Sequence, residues 1–312
     1  MRVFVAGATG AIGSPLVAAL IRRGHEVTGT TRSPERARAL EAPGAKPVML
    51  DALDAIDVKA AVAETMPDVI VHELTAIPSE FNPRRFDEDF AMTNRLRREG
   101  TDHLIAAAEA AGVRRIVAQS FAPWLYERRG SWIKTEDDPL DDDPPAQVRR
   151  TLETLLYMER AVLHGPFEGL ALRYGGFYGP GSSMARTGSI SDAVRRRRFP
   201  IVGPGSGVWS FIHLIDAAEA TALAVERGAP GAYNVTDDEP APVRDWLPAF
   251  ADAIGAPPPR HVPVWLGRLF GGELGVTMMT ELRGATNAKV KRELGWELRY
   301  PSWRQGFARG LG

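Results

Sequence analysis

The sequence predicts an α/β fold, a doubly wound parallel sheet followed by a smaller carboxyl-terminal lobe. Short apolar runs alternate with amphipathic stretches through the first half of the chain. The first run passes directly into Gly7-x-x-Gly10-x-x-Gly13, and glycine and proline become frequent only beyond Gly175. Such alternation implies parallel strands joined by helices on both faces of a sheet. The later change of composition implies a partly irregular lobe over the carboxyl ends of the strands, where ligands bind in open α/β sheets.

Residues 3–6 read as the first strand, residues 14–23 as an amphipathic helix and residues 27–31 as the second strand. Gly7 allows a turn that a side chain would block, Gly10 lets backbone approach a pyrophosphate, and Gly13 lets the helix pack tightly on the strand. Thr9, Ala11 and Ile12 lie in the same turn, and the helix start offers free N–H groups and a positive dipole end to phosphates. This is the opening of a Rossmann dinucleotide-binding unit. An NAD site usually carries an acidic residue at the end of the second strand. Here Thr31, Arg32, Ser33 and Arg36 stand there instead, a set suited to a 2′-phosphate. NADP is the favoured cofactor, with NAD the alternative.

Residues 46–50 read as a third strand, 56–65 as a helix and 68–72 as a fourth strand. Residues 86–111 form a long helix that ends at Gly112, and 113–119 a fifth strand. A polar loop over 126–145, a helix over 146–164 and a sixth strand over 170–174 complete the pattern. Residues 1–174 are expected to be the NAD(P)-binding domain. Residues 175–312 form the substrate lobe, with the chain crossing back to the first domain around 205–235.

The chain of 312 residues is 44% hydrophobic, carries a net charge of −1 and has no cysteine. These values predict a large core, no strong field drawing it to nucleic acid or anionic lipid, and no disulfide or thiolate chemistry. No apolar run reaches membrane-spanning length, no signal segment is evident, and a cytoplasmic protein is expected, with a homodimer left open. The basic run at 195–198 reads as a solvated helix end, and His72 and His213 read as structural histidines in apolar strands. No zinc motif is present and no metal is predicted. A small-molecule substrate is the expected partner.

Several segments together resemble the extended short-chain dehydrogenase/reductase family, also called the NAD-dependent epimerase/dehydratase family. They are Asp51-Ala-Leu53, His72-Glu-Leu-Thr-Ala76, Asn94 with Gly100-Thr101, Ala118-Gln-Ser120, and Leu172-Arg-Tyr-Gly-Gly-Phe-Tyr-Gly-Pro180. Ser210-Phe-Ile-His-Leu-Ile-Asp216 and the stretch from Ala288 to Trp296 extend the likeness to almost the whole chain. The resemblance implies that Asp51 and Ala52 meet the adenine, and that Leu74, Thr75 and Ala76 run past the cofactor ribose. It places Asn94 on the central helix by the cofactor, Ser120 where the family keeps its catalytic Ser or Thr, and Tyr174 in a segment touching the nicotinamide.

The family's Tyr-x-x-x-Lys pair, followed four residues later by Glu, is missing. With Glu159 as anchor, the pair's positions hold Leu155 and Thr151. All three share one helix face, so the geometry survives while the proton-transferring phenol and its charged neighbour are lost. Tyr157 is out of step with that face and has Ala161 where the Lys would be. A relocated acid would have to come from Tyr126, Tyr174 or Tyr178. Ser120 and Thr151 are the hydroxyls that could position a substrate oxygen, and Lys134 is the nearest lysine, expected at the surface. Trp209 stands where sugar-nucleotide enzymes of the family place an Arg for diphosphate. With Trp124, Tyr126, Phe177 and Tyr178 it suggests an aromatic pocket that excludes nucleotide sugars.

The leading expectation is an NADP-dependent oxidoreductase acting on a small neutral, apolar or aromatic carbonyl or alcohol. A redox-neutral epimerase, isomerase, dehydratase or lyase is the second reading, and a non-catalytic NAD(P)-sensing regulator the third.

Overall fold

A computed structural model describes every residue except Ser79, Pro123 and Trp124. Seven parallel strands form the main sheet. In space they run Gly231–Val235, Glu168–Tyr174, β5 (Arg115–Phe121), β4 (Val69–His72), β1 (Arg2–Ala6), β2 (Glu26–Thr31) and β3 (Lys46–Met49). The order reverses between β1 and β4, and a crevice opens at the carboxyl ends of the strands at such a switch.

Successive residues of β1 serve opposite faces. Val3 and Val5 join the core against helix α1 (Gly13–Arg22), while Phe4 and Ala6 join the core against the helices on the other side. Strands buried on both faces need this continuous apolar run. α1 buries Leu16, Val17 and Leu20 on one stripe, and Leu214–Glu226 packs alongside it on the same face.

On that first side, α2 (Pro34–Glu41) begins at Ser33, whose hydroxyl accepts from the Arg36 N–H at 3.3 Å. On the second side, α3 (Ala55–Thr65) is capped by Asp54. The predicted long helix is a chain of shorter pieces: α4 (Phe86–Asp89), α5 (Ala91–Arg95), a π turn over Leu96–Gly100, and α6 (Thr101–Ala111). It stops at Gly112, which has φ +66°. α7 (Arg149–Leu163) then lies beside it.

The edge strand Gly231–Val235 carries no clear signal in the sequence. It opens on a glycine with φ +150° and offers only Tyr233 and Val235 as strong strand formers, too weak a pattern to stand out. It pairs with Glu168–Tyr174 and brings the chain back to the first sheet. The second lobe has its own core, in which Trp246, Phe250, Trp303 and Phe307 are buried with Phe211 and Tyr178. Among the described residues no helix is long and apolar enough to cross a membrane.

Backbone segments approach closely at the first turn. A Cβ on Gly13 would come within 2.2 Å of the Gly7 carbonyl oxygen, and one on Gly7 within 2.6 Å of the Glu73 carbonyl oxygen. Gly13→Ala should therefore cost about 1–3 kcal/mol through forced displacement of α1. Gly24→Ala, at φ +80° in open space, should cost only the left-handed backbone term of about 1–2 kcal/mol. Denaturant melts of both variants check this, and loss of cofactor affinity should accompany only the Gly13 change.

Candidate functional site

The glycine turn forms a cradle at the switch point. The Gly10 N–H donates to the Gly7 carbonyl at 3.0 Å, and a Cβ on Gly10 would meet nothing but that carbonyl, at 3.3 Å. The other side of Gly10 is open, so the turn fits a close-lying diphosphate, with Thr9, Ala11 and Ile12 filling the turn to the start of α1. At the end of β2, the Thr31 hydroxyl oxygen accepts from the Ser33 N–H at 3.2 Å and faces Thr9 Oγ1 at 3.5 Å. The Thr31 and Ser33 oxygens thus already accept bonds, and their own protons remain to donate. Arg32 and Arg36 are exposed and, among the described residues, neither is in an ion pair. Donors without acceptors suit an anion.

Asp51 follows β3, where its carboxylate accepts from the Leu53 N–H at 3.0 Å. Ala52 beside it offers its carbonyl to His103 Nδ1 at 3.0 Å. The segment after β4 runs along the long helix. The His72 ring meets Thr101 Oγ1 at 2.9 Å, and the Ala76 N–H donates to Thr93 Oγ1 at 3.1 Å. Leu74, Thr75 and Ala76 are thereby held along the helix, with Leu74 against Gly100 and Ala76 at Thr93. His72 is buried, and burial pushes its imidazole down to about 3, so it stays neutral. His213 also has a structural place: its Nδ1 accepts from the Ile215 N–H and its Nε2 faces the Gly310 carbonyl.

On the face of α7 that holds Thr151, Leu155 and Glu159, the side chains serve as support. Thr151 is fully buried; its hydroxyl donates to Asp87 at 2.7 Å and accepts from Asn94 Nδ2 at 3.0 Å. The same Asp87 carboxylate caps the helix by accepting from the N–H groups of Arg150 and Thr151. Leu155 is buried in the second-side core. Tyr157 points elsewhere, with its hydroxyl on Asp102 and the Arg98 guanidinium 4.4 Å from its ring.

Glu159 gathers the groups below. Ser120, also fully buried, donates to Glu159 Oε1 at 2.5 Å, and Arg173 binds the same carboxylate through Nε at 2.9 Å and Nη2 at 2.7 Å. Arg173 Nη1 donates to the Tyr126 hydroxyl, which donates in turn to Asn234 Oδ1 at 2.6 Å. Burial raises the Tyr126 phenol to about 12.

The three phenols considered as acids are all buried. Tyr174 faces the α1 side of the sheet, where its hydroxyl meets Thr221 at 2.6 Å and Glu73 at 3.2 Å. Burial, with Glu73 adding to it, holds the Tyr174 phenol well above its ordinary value. Tyr178 lies inside the second-lobe core against His213 and Phe307, and burial raises it too.

The expected aromatic pocket is corrected on the same grounds. Trp209 packs on Phe211 and Trp246 in the lobe core and donates its indole N–H to the Met278 carbonyl at 2.8 Å. Phe177 packs on Tyr174, against the other core. Trp124 lies outside the described residues. Lys134 is buried rather than exposed, with Nζ donating to the Arg129 carbonyl at 2.8 Å. Stacking aromatics inside a lobe core buries more area than lining a pocket does, which is why their number in the sequence misleads.

A sequence profile of the NAD dependent epimerase/dehydratase family matches residues 3–236. The chain belongs to this family. It is 45% identical over 312 residues to a 3-diazoavenalumate denitrifying reductase from a Streptomyces species, covering 99% of this chain and all of that one. It is 32% identical over 261 residues to a 4-hydroxy-2-methyl-3-oxo-4-farnesyl-3,4-dihydroquinoline-1-oxide ketoreductase from Stigmatella aurantiaca, covering 82% of this chain and 74% of the relative. The fold matches a Thermus thermophilus UDP-glucose 4-epimerase solved in complex with NAD, with TM-score 0.75 and 23% identity over 100% of this chain and 98% of that one. The protein is an enzyme of NAD(P)-dependent chemistry built on a Rossmann sheet.

Two buried ionisable groups beside these segments carry little signal in the sequence. Arg97 hides in the charged run Arg95 to Glu99, and only its four-residue spacing from Thr93 and Thr101 marks it as inward-facing. Glu73 stands within a recognised segment, but its burial beneath the glycine turn follows from tertiary packing. One Glu73 oxygen accepts from Tyr174, the other has no partner, and burial raises the carboxyl to about 8. Below the ordinary carboxyl pKa, Glu73 is neutral folded or unfolded. As pH rises toward 8 the unfolded chain releases this proton first, so stability falls, by at most about 1.4 kcal/mol per pH unit. Above that it is ionised in both states and the penalty is complete. Glu73→Gln removes only this pH-dependent part. Its melting temperature relative to wild type should therefore climb between about pH 5 and pH 8.5; parallel curves would show that Glu73 does not titrate in this window.

Proposed function

We propose that this protein is an NADP-dependent reductase for a diazo-substituted aryl acid, an electrophile whose reduction asks for no proton from the enzyme. The observation that carries this reading is the face of α7. Thr151 is tied to Asp87 and Leu155 is core, so neither the hydroxyl nor the cation of a carbonyl reductase is offered there. Reducing a ketone builds negative charge on oxygen and calls for a positioned acid. Replacing a diazonium by hydrogen does not: R–N2+ takes up hydride to give R–H, and the electrons of the broken C–N bond leave with N2. An aryl diazonium survives in water long enough to be bound, whereas an alkyl one loses nitrogen at once. The name of the 45%-identical relative, which pairs a diazo acid with reduction, supports the same chemistry.

When bound, NADPH would supply the hydride from its nicotinamide ring. The chain's own residues would bind and orient. Gly7, Thr9, Gly10, Ala11, Ile12 and Gly13 would take the diphosphate, and Asp51 and Ala52 the adenine. Leu74, Thr75, Ala76 and Asn94 would flank the ribose near the substrate. Thr31, Arg32, Ser33 and Arg36 would hold the 2′-phosphate. Ser120, Tyr126 and Tyr174 would act as positioning residues through Glu159 and Glu73, Thr151 through Asp87, and Tyr178 would pack the substrate lobe.

Two measurements test this. NADPH deuterated at nicotinamide C4, with 3-diazo-4-hydroxybenzoate, should release N2 and leave deuterium on the ring carbon. Turnover of a ketone panel with no nitrogen release would restore the carbonyl-reductase reading. Arg32→Ala should weaken NADPH binding about tenfold or more while sparing NADH. Equal losses for both cofactors would show that Arg32 does not read the 2′-phosphate.

A further inference from the structure

Thr93, Arg97 and Thr101 share the helix face that borders residues 72–76. Thr93 accepts from the Ala76 N–H and Thr101 meets the His72 ring, so the two threonines bracket Arg97 along the segment after β4. Arg97 is 6% exposed. Its Nε is buried with no hydrogen-bond partner, and among the described residues no carboxylate pairs with its guanidinium. Burial lowers Arg97 to about 10, so it remains charged at neutral pH, and His72 beside it is neutral. An unpaired buried cation is expensive, and native chains keep one where something else completes it.

Its place along the fold says what that is. Arg97 belongs to the π turn Leu96–Gly100, which packs against α7, and single π turns inside α-helices gather at functional sites. The two helices run in step. Asn94 bonds to Thr151, while Arg98 and Asp102 engage Tyr157. Arg97 falls between those levels on its helix, as Leu155 does on α7, the position where the resemblance would put the family's lysine.

We propose that Arg97 is the cation replacing that absent lysine, and that it binds an anionic oxygen group of the ligand in the crevice. This rests on the proposed reading of residues 74–76 as the path of the cofactor. Two ligand groups carry the required chemistry, the cofactor diphosphate and the carboxylate of an acid substrate. A guanidinium meets either through its planar fork. Unlike a lysine beside a tuned phenol, it takes no part in proton transfer, in keeping with a reaction that needs no enzyme acid.

The test uses full-length Arg97→Met and Arg97→Lys, with thermal melts of the unliganded proteins and titrations of four probes. These are NADPH, adenosine 2′,5′-bisphosphate, 4-hydroxybenzoate and 4-hydroxybenzamide. Unliganded Arg97→Met should melt at or above the wild-type temperature, because it loses an unpaired buried charge. It should also lose about tenfold or more in affinity for NADPH or for 4-hydroxybenzoate, with Arg97→Lys between the two. Loss for NADPH with unchanged adenosine 2′,5′-bisphosphate binding assigns the diphosphate. Loss for 4-hydroxybenzoate but not for the amide assigns the carboxylate. Affinities within twofold of wild type for both anions, or a clearly lower melt of unliganded Arg97→Met, would make Arg97 a structural residue and overturn the proposal. Wild-type protein that binds neither NADPH nor 4-hydroxybenzoate would overturn this proposal and the proposed function together; NADPH binding that survives in Arg97→Met, with 4-hydroxybenzoate also unaffected, overturns this one alone.

Discussion

The carboxylate of Glu159 is the point on which the site is hung. It accepts from Ser120 at the end of β5 and from two nitrogens of Arg173 on the next strand, and Arg173 continues through Tyr126 to Asn234 on the edge strand. One acid therefore fixes α7 against three adjacent strands. Burying two opposite charges is favourable only when hydrogen bonds complete the pair, and here both Glu159 oxygens and all three Arg173 nitrogens are engaged. The pitch of α7 follows from that anchor, and with it the levels of Leu155 and Thr151 one and two turns earlier.

The architecture separates support from contact. The hydroxyls that the sequence offers as candidates for catalysis are turned inward: Ser120 to Glu159, Thr151 to Asp87, Tyr174 to Glu73 and Thr221. In the proposed reading, the groups that meet the ligand are backbone at the glycine turn and the guanidinium groups of Arg32, Arg36 and Arg97. A site of donors without acids binds and orients anions, and it leaves the chemistry to the cofactor and the substrate's own leaving group.

The fold was largely legible because its cues are local. The glycine spacing, the continuous apolar runs and the stop at Gly112 each act within a few residues of where they are written. That Thr151, Leu155 and Glu159 share one buried face of α7 was legible as well, since the spacing i, i+4, i+8 is a matter of counting. What the sequence hid depends on distant partners. Trp209 and Tyr178 are lobe core only because Trp246, Phe211 and Phe307 fold around them. Lys134 is buried because the Arg129 carbonyl turns toward it. Arg97 reads as one more charge in a basic run until its neighbours Thr93 and Thr101 are seen engaged with residues 76 and 72.

The π turn at Leu96–Gly100 has a consequence for how this helix can change. It holds one residue more than a regular α-helix of the same span, so the residues before and after it are set about 100° out of regular phase. Deleting a single residue there would let the hydrogen-bond ladder close into ordinary α-helix, a gain in local regularity. Thr93 and Thr101 would keep their places opposite Ala76 and His72, because the turn absorbs the surplus residue; straightening the helix with every residue retained would instead swing one threonine off its partner. The π turn is thus what lets this stretch carry an extra residue without losing the phase of its flanks.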